Sequence, residues 1–259
     1  MPTTVDELIV IGQRPPEWPP TGIPPGSIAF QDGYYGIWKY LPDGSPNADY
    51  PTSATDPVIA WEISPNTPEA QALALAIGNA IVRLQQKIQV LPDMTTISIK
   101  AGTVYGTHVK SALQDITTYP IRIVYTGAIP QAVGSQHQVA VIMEGGPPLH
   151  PVVYVTPSVM AAGNYGDASL HPNDSGINFV LLHEMAHVMT PVTTQTNQAY
   201  LDYFNRTGAS NLSHWSDLDA QGRFIHPEPR QVENYANNAA ITLGGYLGIP
   251  VFQTPVYGN

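Results

Sequence analysis

The order in which helical and strand patterns follow one another limits this 259-residue chain to a few architectures. Apolar residues recur at three- and four-residue steps from Ala70 to Ile88, which predicts a helix that begins at Pro68 and ends before Pro92. One helix, a long polar stretch and one or two more helices complete the chain to about Leu247. Between the first helix and these lie four strand-like runs, at 96–100, 121–125, 138–143 and 152–156. A helix, then strands, then helices predicts an α+β fold with a mixed sheet backed by helices.

Residues 1–60 differ from the remainder because prolines and aromatic residues are dense there. An aromatic run from Phe30 to Tyr40 lies between two Asp-Gly pairs, at 32–33 and 43–44, which predicts a strand between tight turns. We therefore divide the chain into an N-terminal segment or small β module, 1–60, and a main domain, 61–259. The N-terminal segment is expected either to pack on the main domain as an arm or to form a separate ligand-binding module.

Composition excludes several classes of partner and site. The net charge is −10 with only ten basic residues, which argues against a nucleic-acid partner. There is no cysteine, so a metal site must use histidine and carboxylate ligands. No stretch approaches 18 apolar residues and no conventional signal peptide is visible, so we expect a soluble chain without a membrane span. The location is left open, and export would need a route independent of a signal peptide.

The sequence His183-Glu-Met-Ala-His187 matches the HExxH metal-binding pattern. Residues four apart lie on the same face of a helix, so both imidazoles can reach one ion. Glu184 lies beside the two ligands, where a general base for an activated water should stand. Possible N-caps at 173–176, apolar neighbours and Pro191 downstream predict a helix that holds the motif.

A catalytic zinc site takes three protein ligands, so a third ligand is required downstream. The metzincin pattern does not continue here, because Thr190 and Thr193 stand at the positions of its glycine and third histidine. A Glu on a later predicted helix, Glu233, fits best, with Pro229 near the start of that helix. Other possible third ligands lie between the motif and that helix: His214, Asp217, Asp219, His226 and Glu228.

His183-Glu-Met-Ala-His187 followed by Glu233-Asn-Tyr-Ala-Asn237 resembles the gluzincin metallopeptidases, the group that contains thermolysin. The resemblance covers about 177–243 and implies a zincin-like fold with one catalytic zinc ion. It implies His183, His187 and Glu233 as zinc ligands and Glu184 as the general base of a metalloendopeptidase that hydrolyses polypeptides. Two features depart from the group: the gap before Glu233 is longer than in thermolysin, and Asn237 replaces an Asp that bonds a ligand histidine. An amide orients without charge, which predicts weaker metal binding or a less basic ligand.

Two other functions stay open from the sequence. The chain could be a catalytically inactive binding or structural protein on a zincin scaffold, with the aromatic residues of 30–40 as its contact surface. It could also be a metal-dependent amidase that acts on cell-wall peptides. The donor that stabilises the oxyanion is undetermined among four residues: His214, His226, Tyr235 and Tyr246.

A peptide substrate is expected to pair with an exposed edge strand. The run at 152–156 is our prediction for that edge strand, because Pro151 and Pro157 bound it and proline suits edges. An interior strand flanked by prolines is the alternative.

Overall fold

A computed structural model describes residues 26–30, 35–50, 59–62, 68–117, 121–125, 139–144, 150–155, 175–220 and 223–251. These residues form an α+β fold, as the sequence predicts. In chain order the elements are β1 (Ser27–Ala29), β2 (Tyr35–Trp38), β3 (Ile59–Trp61), α1 (Pro68–Gln89), β4 (Thr96–Ile99), β5 (Gly102–Tyr105), α2 (Gly106–Thr117), β6 (Ile121–Tyr125), β7 (Val139–Glu144), β8 (His150–Val155), α3 (Ser175–Val188), α4 (Thr190–Thr207) and α5 (Pro227–Leu247).

Helix α1 begins at the predicted Pro68, and the four predicted strand runs correspond to β4, β6, β7 and β8. Of the possible N-caps at 173–176, residues 173 and 174 fall outside the described residues, as does the predicted strand end at Thr156. The sequence did not predict β1, β3, β5 or α2. The three strands have three or four residues each, which is too short for a period of two to be distinguished.

Six strands form one mixed sheet in the order β1-β2-β3-β6-β8-β7. The pairs β2–β3, β3–β6 and β6–β8 are parallel, whereas β1–β2 and β7–β8 are antiparallel. β4 and β5 form a separate antiparallel hairpin. The prediction that 152–156 is an edge strand is therefore wrong, because β8 lies between β6 and β7. Pro151 is tolerated there since it occupies the second position of the strand, opposite Met143 near the end of the ladder.

The strands of the N-terminal segment lie in the same sheet as the following strands. β2 pairs with β3 so that Trp38 is opposite Trp61, and the two indole rings are 5.5 Å apart. The Phe30 ring packs against Gly36 of β2 and Gly78 of α1, where a Cβ atom would overlap it. This close approach between sheet and helix accounts for glycine inside α1. The domain boundary at residue 60 stays a prediction, although the sheet continues across it.

Helix α3 lies in the centre of the fold and contacts α1, α2, α5 and β7. Its Leu182, Met185 and Ala186 are fully buried. A helix that is apolar on most of its circumference has to be surrounded by other elements, which explains this position. Among the described helices, none has both the length and the apolar composition needed to cross a membrane.

Helices α3 and α4 are separated by a single residue, Met189, which has an extended backbone. Pro191 follows the end of α3, as predicted. It also occupies the first turn of α4, where its missing N–H is not needed. α4 ends at Gly208 and α5 at Gly248, both left-handed caps. α5 begins at Pro227, so Glu233 lies in its second turn and not at its start.

Candidate metal centre

The two histidines of the motif and Glu233 meet between α3 and α5. His183 Nε2 is 3.1 Å from His187 Nε2 and 3.0 Å from Glu233 Oε2, and His187 Nε2 is 3.7 Å from the same oxygen. His183 is 4% exposed, whereas His187 and Glu233 are half-buried. Among the described residues, these three form the cluster of histidine and acidic side chains with geometry suitable for a metal ion.

Asn237 fixes the tautomer of His183. Its Oδ1 is 2.9 Å from His183 Nδ1, and a carbonyl oxygen can only accept. The Nδ1–H of His183 therefore donates to Asn237, one turn after Glu233 on α5. In this tautomer the lone pair of His183 Nε2 points toward His187 and Glu233. A histidine that binds a metal ion through Nε2 requires this tautomer.

This tautomer places two acceptors face to face, because neither His183 Nε2 nor the ionised Glu233 Oε2 carries a proton at their 3.0 Å separation. Two lone pairs at that distance repel unless a cation lies between them. Zinc with ligands at about 2.0–2.1 Å in a tetrahedral arrangement requires ligand atoms about 3.3–3.4 Å apart. The observed separations of 3.0, 3.1 and 3.7 Å bracket that value, so the donor set fits zinc.

Without a metal ion, the charged groups of the cluster shift one another's pKa values. Burial lowers the pKa of His187, but the adjacent Glu233 carboxylate outweighs burial and raises it to about 9. Burial likewise opposes ionisation of Glu233, but the charge of His187 and its hydrogen bond to the carboxylate hold the pKa of Glu233 far below the usual range. Glu233 is thus an anion at neutral pH, which is the form that binds metal ions.

Glu184 is half-buried beside the two imidazoles on α3. Burial raises the pKa of its carboxyl group, and the nearby histidines oppose that shift only in part. Within the described part of the chain, its carboxylate has no hydrogen bond or ion pair. A carboxyl group with a raised pKa and a free oxygen is suited to accept and return a proton.

The other side chains considered as third ligands are engaged elsewhere. Arg206 donates to both carboxylate oxygens of Glu228, at 2.6 and 2.8 Å, and to His226 Nδ1 at 3.0 Å. The remaining candidates form two local pairs on the connection between α4 and α5: His214–Asp217 and Asp219–Arg223. Of the six candidates, the structure brings only Glu233 to the histidines.

The four predicted oxyanion donors are not placed at the centre by any contact. His226 packs edge-on against Tyr203, and the hydroxyl of Tyr235 accepts a hydrogen bond from Gln231. Tyr246 is exposed, as is His214.

Tyr200 is a side chain near the centre that the sequence analysis did not select. Burial raises the pKa of its phenol, and the negative charge of Glu233 raises it further. The same level along the helices explains this proximity. Arg206 at the end of α4 pairs with Glu228 at the start of α5. Tyr200 lies six residues before Arg206, about 9 Å along α4, and Glu233 lies five residues after Glu228, about 7.5 Å along α5. Tyr200 and Glu233 therefore lie at similar levels along the two helices, and Tyr200 is one of many aromatic positions that no spacing rule distinguishes.

Comparison with protein-family models, with curated proteins and with solved structures found no match to this chain.

Proposed function

We propose that this protein is a zinc-dependent metalloendopeptidase with a zincin-like fold of the gluzincin type. One observation carries the proposal: two imidazole nitrogens one helical turn apart and a carboxylate oxygen of a separate helix converge at zinc-ligand spacing. The resemblance of the HExxH motif and of the downstream Glu233 to the gluzincins supports it, as does the position of Glu184. His183, His187 and Glu233 would hold the ion.

Bound zinc would supply a Lewis acid that lowers the pKa of a water molecule and polarises the scissile carbonyl. Glu184 removes a proton from that water as its oxygen attacks the carbonyl carbon. Glu184 would then return the proton to the amide nitrogen, the C–N bond would break, and the second proton of the water would pass to the amine, which leaves a carboxylate and an ammonium group. The Tyr200 hydroxyl, whose pKa the charge of Glu233 raises, would donate a hydrogen bond to the oxygen that becomes negative.

The substrate is a polypeptide that pairs along β7. Among the described strands, β7 is the last of the six-stranded sheet beyond β8, and it contacts the helix that carries the motif. An edge strand presents unpaired backbone groups, so an extended peptide can add to it beside the helix that carries the motif. β7 thus takes the role of peptide-binding edge strand that was predicted from the sequence for 152–156.

The test uses Glu184→Gln, which preserves the size of the side chain and removes the base. The purified chain should contain about one zinc ion and cleave a denatured protein mixture, with the new termini identified by mass spectrometry. Glu184→Gln should keep the zinc and lose cleavage, whereas His187→Ala should lose both. A chain purified without chelators that neither contains zinc nor takes it up would refute the proposal.

A zinc-loaded chain that cleaves no peptide would instead support the binding protein on a zincin scaffold. Hydrolysis of cell-wall peptides alone, in a panel that also contains ordinary polypeptides, would support the amidase.

A further inference from the structure

We propose that Asn237 keeps zinc affinity at this centre low, so that the ion exchanges and occupancy follows the zinc available. This inference rests on the proposed zinc centre and concerns its regulation. Asn237 is 4% exposed, and its Oδ1 accepts from the Nδ1–H of His183. It is a positioning residue, because it acts on the metal only through His183.

The hydrogen bond supplies orientation without charge. A carboxylate at this position would make the imidazole a stronger donor to the metal and would add a negative charge close to it. Because Asn237 is neutral, only Glu233 carries a full negative charge among the three proposed ligands and Asn237, the hydrogen-bond partner of His183. With this set alone, zinc would keep one net positive charge, and Glu184 would balance it only from beside the ligands; a buried charge that its ligands do not balance is costly.

Two neighbouring asparagines on the same helix show that the contact belongs to Asn237. Asn234 is exposed. The side chain of Asn238 accepts a hydrogen bond from the backbone N–H of Lys100 at 2.6 Å, on the hairpin β4–β5. Asn237 alone of the three faces His183, so an added charge at 237 or at 238 has different consequences for the metal.

The experiment measures zinc affinity of the full chain by competition with a zinc-binding dye, and zinc release after mixing with excess chelator. Asn237→Asp keeps the shape of the side chain and should bind zinc about 10-fold tighter, with slower release, as the 10–100-fold effects of such partners indicate. Asn237→Leu removes the acceptor and should bind about 10-fold more weakly. Asn238→Asp adds the same charge one residue away, keeps an acceptor for Lys100 and should change the affinity less than about 3-fold.

The thermal unfolding of each metal-free variant shows whether it folds like the wild type. Equal affinity of Asn237→Asp and Asn238→Asp would overturn the inference, and the proposed peptidase would be unaffected if peptides were still cleaved. The predicted order of affinities without cleavage would support the inference and contradict the peptidase. Failure of every folded variant to take up zinc would overturn both.

Discussion

Tyr200 lies on α4, which carries none of the proposed zinc ligands, yet its phenol is close enough to the candidate metal centre for the charge of Glu233 to raise its pKa. Its ring is 4.7 Å from that of Trp215, edge to face, on the connection between α4 and α5. Trp215 also packs on Tyr203 of the same helix. The tyrosine is thus held by a neighbour that is itself fixed, which is the condition for a preorganised hydrogen-bond donor.

Tyr200→Phe removes the hydroxyl and keeps the ring against Trp215. We expect kcat to fall by about 10²-fold, the typical loss of one oxyanion donor, while KM and zinc content change little. Steady-state kinetics on a defined peptide, with metal analysis, would measure this.

The matched control is Tyr203→Phe, three residues further along α4. Tyr203 is buried against Trp215 and His226, so the same chemical change there should leave kcat within about 3-fold of the wild type. A wild-type kcat for Tyr200→Phe would show that the donor is another group.

At the scale of elements, Arg206 and Glu228 join the last turn of α4 to the first turn of α5. Glu228 is 6% exposed and accepts two hydrogen bonds from the guanidinium group of Arg206. A bidentate pair of this kind fixes geometry as well as adding stability. Because the pair joins the end of α4 to the start of α5, we expect it to fix the level of Tyr200 relative to Glu233 along the two helices.

Glu228→Gln should reduce the free energy of unfolding at pH 7 by about 1 kcal/mol, a value discounted because Arg206 is half exposed. Hydrogen bonds from Arg206 hold the pKa of Glu228 below its usual 4.5, with burial opposing them. The stabilisation is therefore complete above about pH 4.5 and is lost as the pH falls through the folded-state pKa. Urea unfolding of both chains should show a difference at pH 7 that shrinks below pH 4.

The exposed pair Lys110–Asp93 provides a comparison. Asp93→Asn should cost less than about 0.5 kcal/mol at pH 7, because both partners are in water. A loss for Glu228→Gln no larger than this would mean that the contact between α4 and α5 does not depend on the pair.

The secondary-structure elements also show which features of the fold could be predicted from the sequence. The spacing of His183 and His187 requires a helix, and the apolar pattern of α1 and α5 is long enough to identify both. The edge of the sheet was mistaken because pairing between strands is not local: β7 adds to β8 through a reversal that no residue in 150–155 signals. Glu233 could be proposed because it belongs to a sequence motif. Tyr200 could not, because its position near the centre depends on how α4 packs on α5.

At the scale of the whole molecule, the candidate metal centre lies between the central helix and the C-terminal part of the fold. α3 contacts helices α1, α2 and α5 and strand β7, and it carries two of the proposed ligands, while α5 carries the third. The C-terminal end of the described chain returns to the same helix, because Asn178 of α3 donates to the backbone oxygen of Pro250 at 2.8 Å. Zinc would therefore bind the assembled fold and not the unfolded chain, since its ligands are 46 residues apart in sequence.

Zinc binding should accordingly stabilise the entire fold. A ligand at 100 times its Kd that binds only the folded state adds about 2.7 kcal/mol, which raises Tm by roughly 5–10 °C for a chain of this size. Differential scanning calorimetry with and without zinc would measure the shift. Glu184→Gln should show the full shift, because it removes the base and no ligand, whereas His187→Ala should show almost none. Equal shifts for His187→Ala and the wild type would locate the stabilising ion at another site, since zinc at His183, His187 and Glu233 cannot stabilise the fold without its second imidazole.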